Sequence, residues 1–198
     1  MLINNLARFP QFFWNLKAFS FNKEEWQNKI FPQHYWLLAK IKKLKPNNIL
    51  EVGCGFGRNL EFLLKNNVKS SQLTGSDFSL IMLNKAKTRL NNKVKLIKAP
   101  VQKLPFKDNS FDLVFTHGVL MHLKPNQLKK ALSELTRVTN KWLILIEEIR
   151  DKPVSLNSFT WAHDYEKIVK KSNLKVLKKH LDKKLPLIWY LLKKQKLI

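Results

Sequence analysis

Asn48-Ile49-Leu50-Glu51-Val52-Gly53-Cys54-Gly55-Phe56-Gly57-Arg58-Asn59, with Leu60, Phe62, Leu63 and Leu64 behind it, is the stretch on which the reading of this chain turns. Ile49 to Val52 has the short apolar pattern of a buried strand, and from Asn59 the spacing predicts a helix. Gly53, Gly55 and Gly57 turn the chain tightly between them, because glycine enters left-handed backbone without steric cost. A strand, a glycine turn and a helix N-terminus expose backbone N–H groups and the positive end of a helix dipole, which suits a carboxylate or phosphate. The stretch therefore reads as a nucleotide-type cofactor site.

Two nucleotide motifs fail here. A dinucleotide fingerprint needs its third glycine at position 58, where Arg58 stands, and a P-loop needs Gly-Lys-Ser/Thr after a longer loop. Glu51-x-Gly53-x-Gly55-x-Gly57 instead resembles the first motif of the class I S-adenosylmethionine (SAM) dependent methyltransferases. The resemblance implies a loop wrapped around the methionine and ribose parts of SAM, with S-adenosylhomocysteine as product. Glu51, Gly53 and Gly55 would line it, and Arg58 would meet the cofactor carboxylate or an anionic substrate. A solvated surface arginine is the alternative for Arg58. Cys54, the only cysteine, excludes an internal disulfide framework and reads as a small space-filler in the turn.

Further along, Gln72 to Asp77 reads as a second strand ending in an acid 24 residues beyond Gly53, the distance at which a nucleotide-binding sheet delivers a carboxylate to ribose hydroxyls. A carboxylate accepts both O–H donors. Phe78 and Met82 come next, at the start of the following helix, where the resemblance places cofactor contacts; core packing is the other reading of Met82. Val94 to Ala99 alternates as a third strand. The loop Pro100 to Phe106 resembles the methyltransferase adenine loop, with Pro100 where an acid is common, which leaves adenine to Val101 and Gln102. Phe111-Asp112-Leu113-Val114-Phe115-Thr116 is the fourth strand, and Ser110 to Val114 resembles a common methyltransferase signature.

The end of that strand and the loop after it face the methyl group in such enzymes: Thr116-His117-Gly118-Val119-Leu120-Met121-His122-Leu123. This segment lacks the Asn/Asp-Pro-Pro-aromatic motif of amino-methylating enzymes and the acids of magnesium-dependent catechol enzymes, and Cys54 lies in the wrong loop for cytosine chemistry. Thr116 and His117 are cofactor candidates. His117 and His122 are the catalytic candidates, since a neutral imidazole accepts a proton near pH 7; simple contact and packing is their alternative. Trp14, Glu148, His163 and Tyr165 are the substrate-site candidates, and no metal is expected.

Pro125 to Val138 spaces Leu128, Leu132, Leu135 and Val138 for a helix. Trp142 to Glu148 is a continuous apolar strand, His163 to Lys171 a short helix, and Leu174 to Leu181 and Leu187 to Leu192 two closing strands. This alternation predicts an α/β fold, a Rossmann-like doubly wound sheet of seven mostly parallel strands with helices on both faces. Residues 1–45 read as an aromatic-rich lid and a helix from Gln33 to Leu44, and residues 46–198 as the SAM-dependent methyltransferase domain. Gly57 to Leu60, Pro105 to Thr116, Gly118 to Leu120, Leu135 to Asn140 and Trp189 to Lys194 are similar to the pseudaminic acid biosynthesis-associated methylases, a likeness over most of residues 46–194 that implies a sugar or glycan-precursor acceptor.

The 198 residues carry a formal net charge of +23, from 32 lysines but only five arginines. Arginine is the residue of bidentate phosphate and guanine recognition, so this composition argues against a nucleic-acid partner, and an anionic lipid surface or plain compositional bias accounts for the charge as well. No run of about 18 apolar residues spans a membrane, nothing resembles a signal peptide, and a cytoplasmic location is expected. Three functions stay open: methylation of a small molecule or sugar, methylation of a phospholipid head group or RNA, and a silent SAM-binding partner protein.

Overall fold

The computed structural model describes residues 14, 16, 17, 20, 25–149, 154–157, 160–182 and 186–195. The expected aromatic lead-in at Phe9, Phe12, Phe13, Phe19 and Phe21 lies outside them. The chain divides into two compact units, residues 1–100 and 101–198.

The first unit runs α1 (Glu25–Asn28), α2 (Pro32–Leu44), β1 (Ile49–Val52), α3 (Arg58–Lys65), β2 (Leu73–Asp77), α4 (Leu80–Arg89) and β3 (Lys95–Lys98). The strands are parallel in the order β3-β2-β1, with Ile49 opposite Leu73 and Thr74 opposite Lys95. All four residues of β1 are buried, as a central parallel strand requires. α2 opens on Pro32, whose missing N–H is no loss in a first turn, and stops at Lys45 in left-handed conformation ahead of Pro46. It buries Leu37, Leu38 and Ile41, and His34 meets the Phe62 ring of α3 edge-on at 5.7 Å.

Gly75 explains how closely α3 lies on these strands. A β-carbon there would stand 2.8 Å from Leu60 Cδ1 and 2.9 Å from both Cys54 Sγ and Leu96 Cδ2. Only a residue without a side chain lets helix, strand and glycine loop meet at that point.

The second unit runs β4 (Phe111–His117), α5 (Pro125–Val138), β5 (Thr139–Glu148), β6 (Val154–Asn157), β7 (Thr160–Ala162), α6 (Tyr165–Lys170), β8 (Leu174–Asp182) and β9 (Leu187–Lys194). β4 and β5 are parallel, while β9 pairs antiparallel with both β5 and β8. The described residues thus hold the expected seven sheet strands, mostly parallel within the first unit and mixed within the second. β6 and β7 form a separate antiparallel pair that the sequence pattern did not announce.

Several element boundaries differ from the expected ones by one to three residues. β5 starts three residues before the expected Trp142, because Thr139 already pairs with Phe111 across a bulge. The last helix is shorter than His163 to Lys171, because the Asp164 side chain caps it by accepting from the Lys167 amide at 2.9 Å. The third strand is trimmed to Lys95–Lys98. Asp112, inside the signature strand, is structural: it accepts from Asn140 Nδ2 at 3.1 Å and pairs with Lys141 at 3.2 Å.

Candidate functional site

In the first unit the glycine loop is stitched to the carboxyl end of β2. The Gly53 and Cys54 amides both donate to the Ser76 carbonyl, at 2.7 and 2.9 Å, and the Gly57 amide donates back to Cys54. Gly53, Gly55 and Gly57 all have positive φ, 74°, 52° and 83°, which a side chain would oppose. The Asp77 carboxylate completes the stitching: Oδ2 accepts from the Gly55 amide at 2.9 Å and Oδ1 from the Ser79 amide at 2.8 Å. Burial pushes the Asp77 carboxyl above its ordinary range, and those amides pull it back.

Glu51 is the second acid of this loop. It is 1% exposed; Asn59 Nδ2 donates to Oε1 at 2.6 Å, and Oε2, fully buried, has no partner. Burial raises its pKa to about 8, against the hydrogen bond from Asn59 and the charge of Arg58. A polar oxygen inside the protein with no partner is costly, and a bound cationic or N–H group would satisfy it as the carboxyl gives up its proton. Arg58 is half-buried and donates to the Gln27 carbonyl at 3.3 Å, so it is neither a freely solvated arginine nor an empty hook.

The remaining first-unit candidates divide. Met82 is 4% exposed and packs on Phe56 of the glycine loop, with Trp14 and Ile81 against the same pair. Trp14 therefore stands over the glycine loop. Phe78 is half-buried beside Asp77. A group holding a ribose, an ammonium and a flat ring fits this set: Asp77 offers carboxylate lone pairs, Glu51 an orphaned oxygen, and Phe56, Met82 and Trp14 an apolar wall.

In the second unit the loop expected to face the methyl group comes directly after β4. Thr116 is fully buried, and its hydroxyl donates to Glu147 Oε1 at 2.7 Å. The Glu147 carboxylate also accepts from three successive amides through Oε2: Val119 at 3.0 Å, Leu120 at 3.0 Å and Met121 at 3.4 Å. These open a 3-10 turn, Leu120–His122. His163 Nε2 lies 3.1 Å from the Leu120 carbonyl and 3.0 Å from that of Leu123, so this nitrogen carries the proton and donates. His117 and His122 are half-buried on the loop so held.

Three substrate candidates take different roles in the folded chain. His163, 4% exposed, is turned onto loop carbonyls, and burial holds its pKa down. Tyr165 is 1% exposed and meets the His163 ring edge-on at 5.7 Å, with its hydroxyl buried and unpartnered. Glu148 is half-buried, and the acid turned inward is its neighbour Glu147, which sequence reasoning missed. Two acids closing an apolar strand are a signal that one of them faces inward, since successive side chains point to opposite faces.

The adenine-loop candidates also lie here, Val101 buried and Gln102 half-buried. That loop is tied down by Arg137, whose guanidinium donates to the carbonyls of Leu104 at 2.9 Å and Phe106 at 2.8 Å and to the Asp108 and Glu134 carboxylates. Among the described residues no group of three or more His, Cys, Asp or Glu side chains is arranged to hold a metal ion. No helix among them is long and apolar enough to cross a membrane.

Residues 49–141 match the family model of a methyltransferase domain. The chain is 35% identical over 147 residues to an uncharacterized protein of Methanocaldococcus jannaschii, covering 66% of this chain and 60% of that one. It is 36% identical over 103 residues to the malonyl-[acyl-carrier protein] O-methyltransferase of Legionella pneumophila, covering 50% of this chain and 34% of that enzyme. The chain thus spans less than two thirds of the curated relatives it matches. Among solved structures it superposes on the Burkholderia thailandensis 1,6-didemethyltoxoflavin-N1-methyltransferase with bound S-adenosylhomocysteine, at TM-score 0.72 and 14% identity over 91% of this chain and 85% of that one. Residues 49–141 are thus similar to a methyltransferase domain, and the chain shares a Rossmann-like fold with solved methyltransferase structures.

Proposed function

We propose that the chain is a SAM-dependent methyltransferase acting on a small molecule, of the sugar or glycan-precursor class. The observation that carries the cofactor assignment is the pair of buried acids at the glycine loop, Asp77 bonded to the Gly55 amide and Glu51 with an unsatisfied oxygen. Asp77 would accept from the ribose hydroxyls while keeping the loop closed, and Glu51 would take the cofactor ammonium. Met82 and Phe78 would bound the remainder. When bound, SAM supplies a methyl group already activated by the sulfonium. The protein's part is then alignment and exclusion of water, and a neutral imidazole at His117 or His122 takes the proton of the acceptor.

The acceptor class rests on the likeness of most of residues 46–194 to the pseudaminic acid-associated methylases and on the absence of the motifs for amide, nucleobase and metal-assisted catechol methylation. The named relatives methylate unlike acceptors, so they favour none. Calorimetric titration with SAM and S-adenosylhomocysteine tests the cofactor: binding of both in the micromolar range is expected. Its absence would overturn the reading. Turnover of any acceptor would dispose of the silent-partner alternative.

One observation favours a second reading, in which the acceptor or the workplace is an anionic lipid surface. β8 exposes Val176, Leu177 and Leu181 among Lys175, Lys178 and Lys179, an apolar and cationic strand suited to a charged interface. Salt-sensitive sedimentation with vesicles containing phosphatidylserine, against neutral vesicles and RNA, separates these cases.

A further inference from the structure

We infer that Glu147 is the positioning residue of the loop after β4, its carboxylate setting where His117 and His122 stand. The inference rests on the methyl-transfer reading, because that reading gives those histidines their task. Glu147 is 0% exposed, and the hydrogen bonds of its carboxylate run to the end of β4 and to that loop. The Thr116 hydroxyl reaches it from the end of β4, and the Val119, Leu120 and Met121 amides reach it from the 3-10 turn. Between them Gly118 reverses the chain at φ 66°, with its amide on the Ile146 carbonyl at 2.8 Å. At the other end His163 donates to the Leu120 and Leu123 carbonyls. The loop is therefore gripped at its amides by an acid and at its carbonyls by an imidazole.

A loop that needed only packing would not place a carboxylate there. Burying an acid is unfavourable, and an apolar side chain of similar volume often serves a core as well. What an apolar residue cannot do is accept from one hydroxyl and three consecutive amides. This arrangement fixes a backbone path that has one glycine hinge and only a single 3-10 turn of its own, as a precise reactive site needs. Burial raises the Glu147 pKa to about 7 while its four donors lower it. Of the titratable groups, Tyr165 from α6 feels the charges of Glu147 and of Glu148 on the same strand, His163 holds the Leu120 and Leu123 carbonyls of the loop, and β9 presents Ile188 opposite Glu147.

The test tracks the Val119, Leu120 and Met121 amides and the His117 and His122 imidazoles by NMR across pH 5–9 in the full chain, wild type and Glu147→Gln. In the wild type the three amides should titrate together with a midpoint near 7. In Glu147→Gln that titration should vanish and the resonances of both histidines should move, because a neutral amide oxygen holds the three backbone N–H groups less strongly than a carboxylate does. A lowered melting temperature with the histidines at their wild-type positions would overturn the inference and leave Glu147 a core residue. Should Glu147→Gln fail to fold, Thr116→Val removes one donor and keeps the carboxylate. The Glu147-linked titration should then shift upward in pH with both histidines displaced, and unmoved histidines would overturn the inference again. Titration of the wild type with S-adenosylhomocysteine judges the methyl-transfer reading separately, since the loop measurements do not depend on it.

Discussion

Asp77 and Gly55, 22 residues apart, are joined by a hydrogen bond of 2.9 Å from the Gly55 amide to the Asp77 carboxylate. The same carboxylate accepts from the Ser79 amide at the head of α4. One acid thereby ties the glycine loop, β2 and the next helix, and its proposed ribose-binding role operates from a preset position. Asp77→Ala should lower S-adenosylhomocysteine affinity at least about tenfold, or ~1.4 kcal/mol. It should also cost about 1–3 kcal/mol of stability, because two buried amides lose their acceptor. Asp77→Asn, which keeps one acceptor oxygen, should recover part of the stability and little of the affinity. Calorimetry and thermal denaturation on the three proteins decide; full affinity in Asp77→Ala would remove Asp77 from the site.

Glu51 predicts a proton released on binding. Its folded pKa of about 8 lies above the ordinary 4.5, so the free protein holds this proton at pH 7. A cofactor ammonium on Oε2 favours the carboxylate, so binding at pH 6–7 should expel up to one proton. The heat of binding should then vary with buffer ionisation enthalpy in the wild type and not in Glu51→Gln. In the cofactor-free protein the sign runs the same way. A group whose pKa is raised by folding contributes stability that is complete below pH 4.5 and lost as pH rises through about 8. Glu51→Gln should flatten that part of the stability profile.

Gly75→Ala inserts a β-carbon within 2.9 Å of Leu60, Cys54 and Leu96. Overpacking of this kind costs about 1–3 kcal/mol. The melting temperature should fall accordingly, and Gly75→Ala with Leu60→Val should recover part of the loss by making room.

Arg137 anchors the segment from Leu104 to Asp108 through two carbonyls and two carboxylates. Lysine cannot reproduce a planar fork of donors, so Arg137→Lys should destabilise almost as much as Arg137→Ala, by about 1–3 kcal/mol. Hydrogen exchange at the Leu104 amide, which donates to Glu134 at 2.8 Å, should accelerate in both variants. If the segment holds adenine, cofactor affinity falls with it.

Much of this protein was legible from local pattern alone. The strand, glycine turn and helix from Ile49 to Lys65, the acid ending β2 and the proline-led helix Pro125–Val138 are set by residues within a few positions of one another. Backbone sterics, helix capping and hydrophobic period act over that range. Asp77 was therefore found with its strand, and the glycine loop with its helix.

Tertiary structure alone decided which side chains those elements turn inward and what they meet. Glu147 and Glu148 are equivalent in composition; the pleat of β5 buries the first against the Thr116 hydroxyl, 31 positions away. His163 reads as an open substrate contact until the chain brings it to the Leu120 and Leu123 carbonyls, 43 and 40 positions away. Arg137 likewise meets Leu104 and Phe106, 33 and 31 positions away. Periodicity reports that a position is buried, and the partner waiting there belongs to a distant strand or loop. The glycine loop was thus determined by sequence at short range, while the grip on the loop after β4 came from hydrogen bonds that exist only once the second unit has folded.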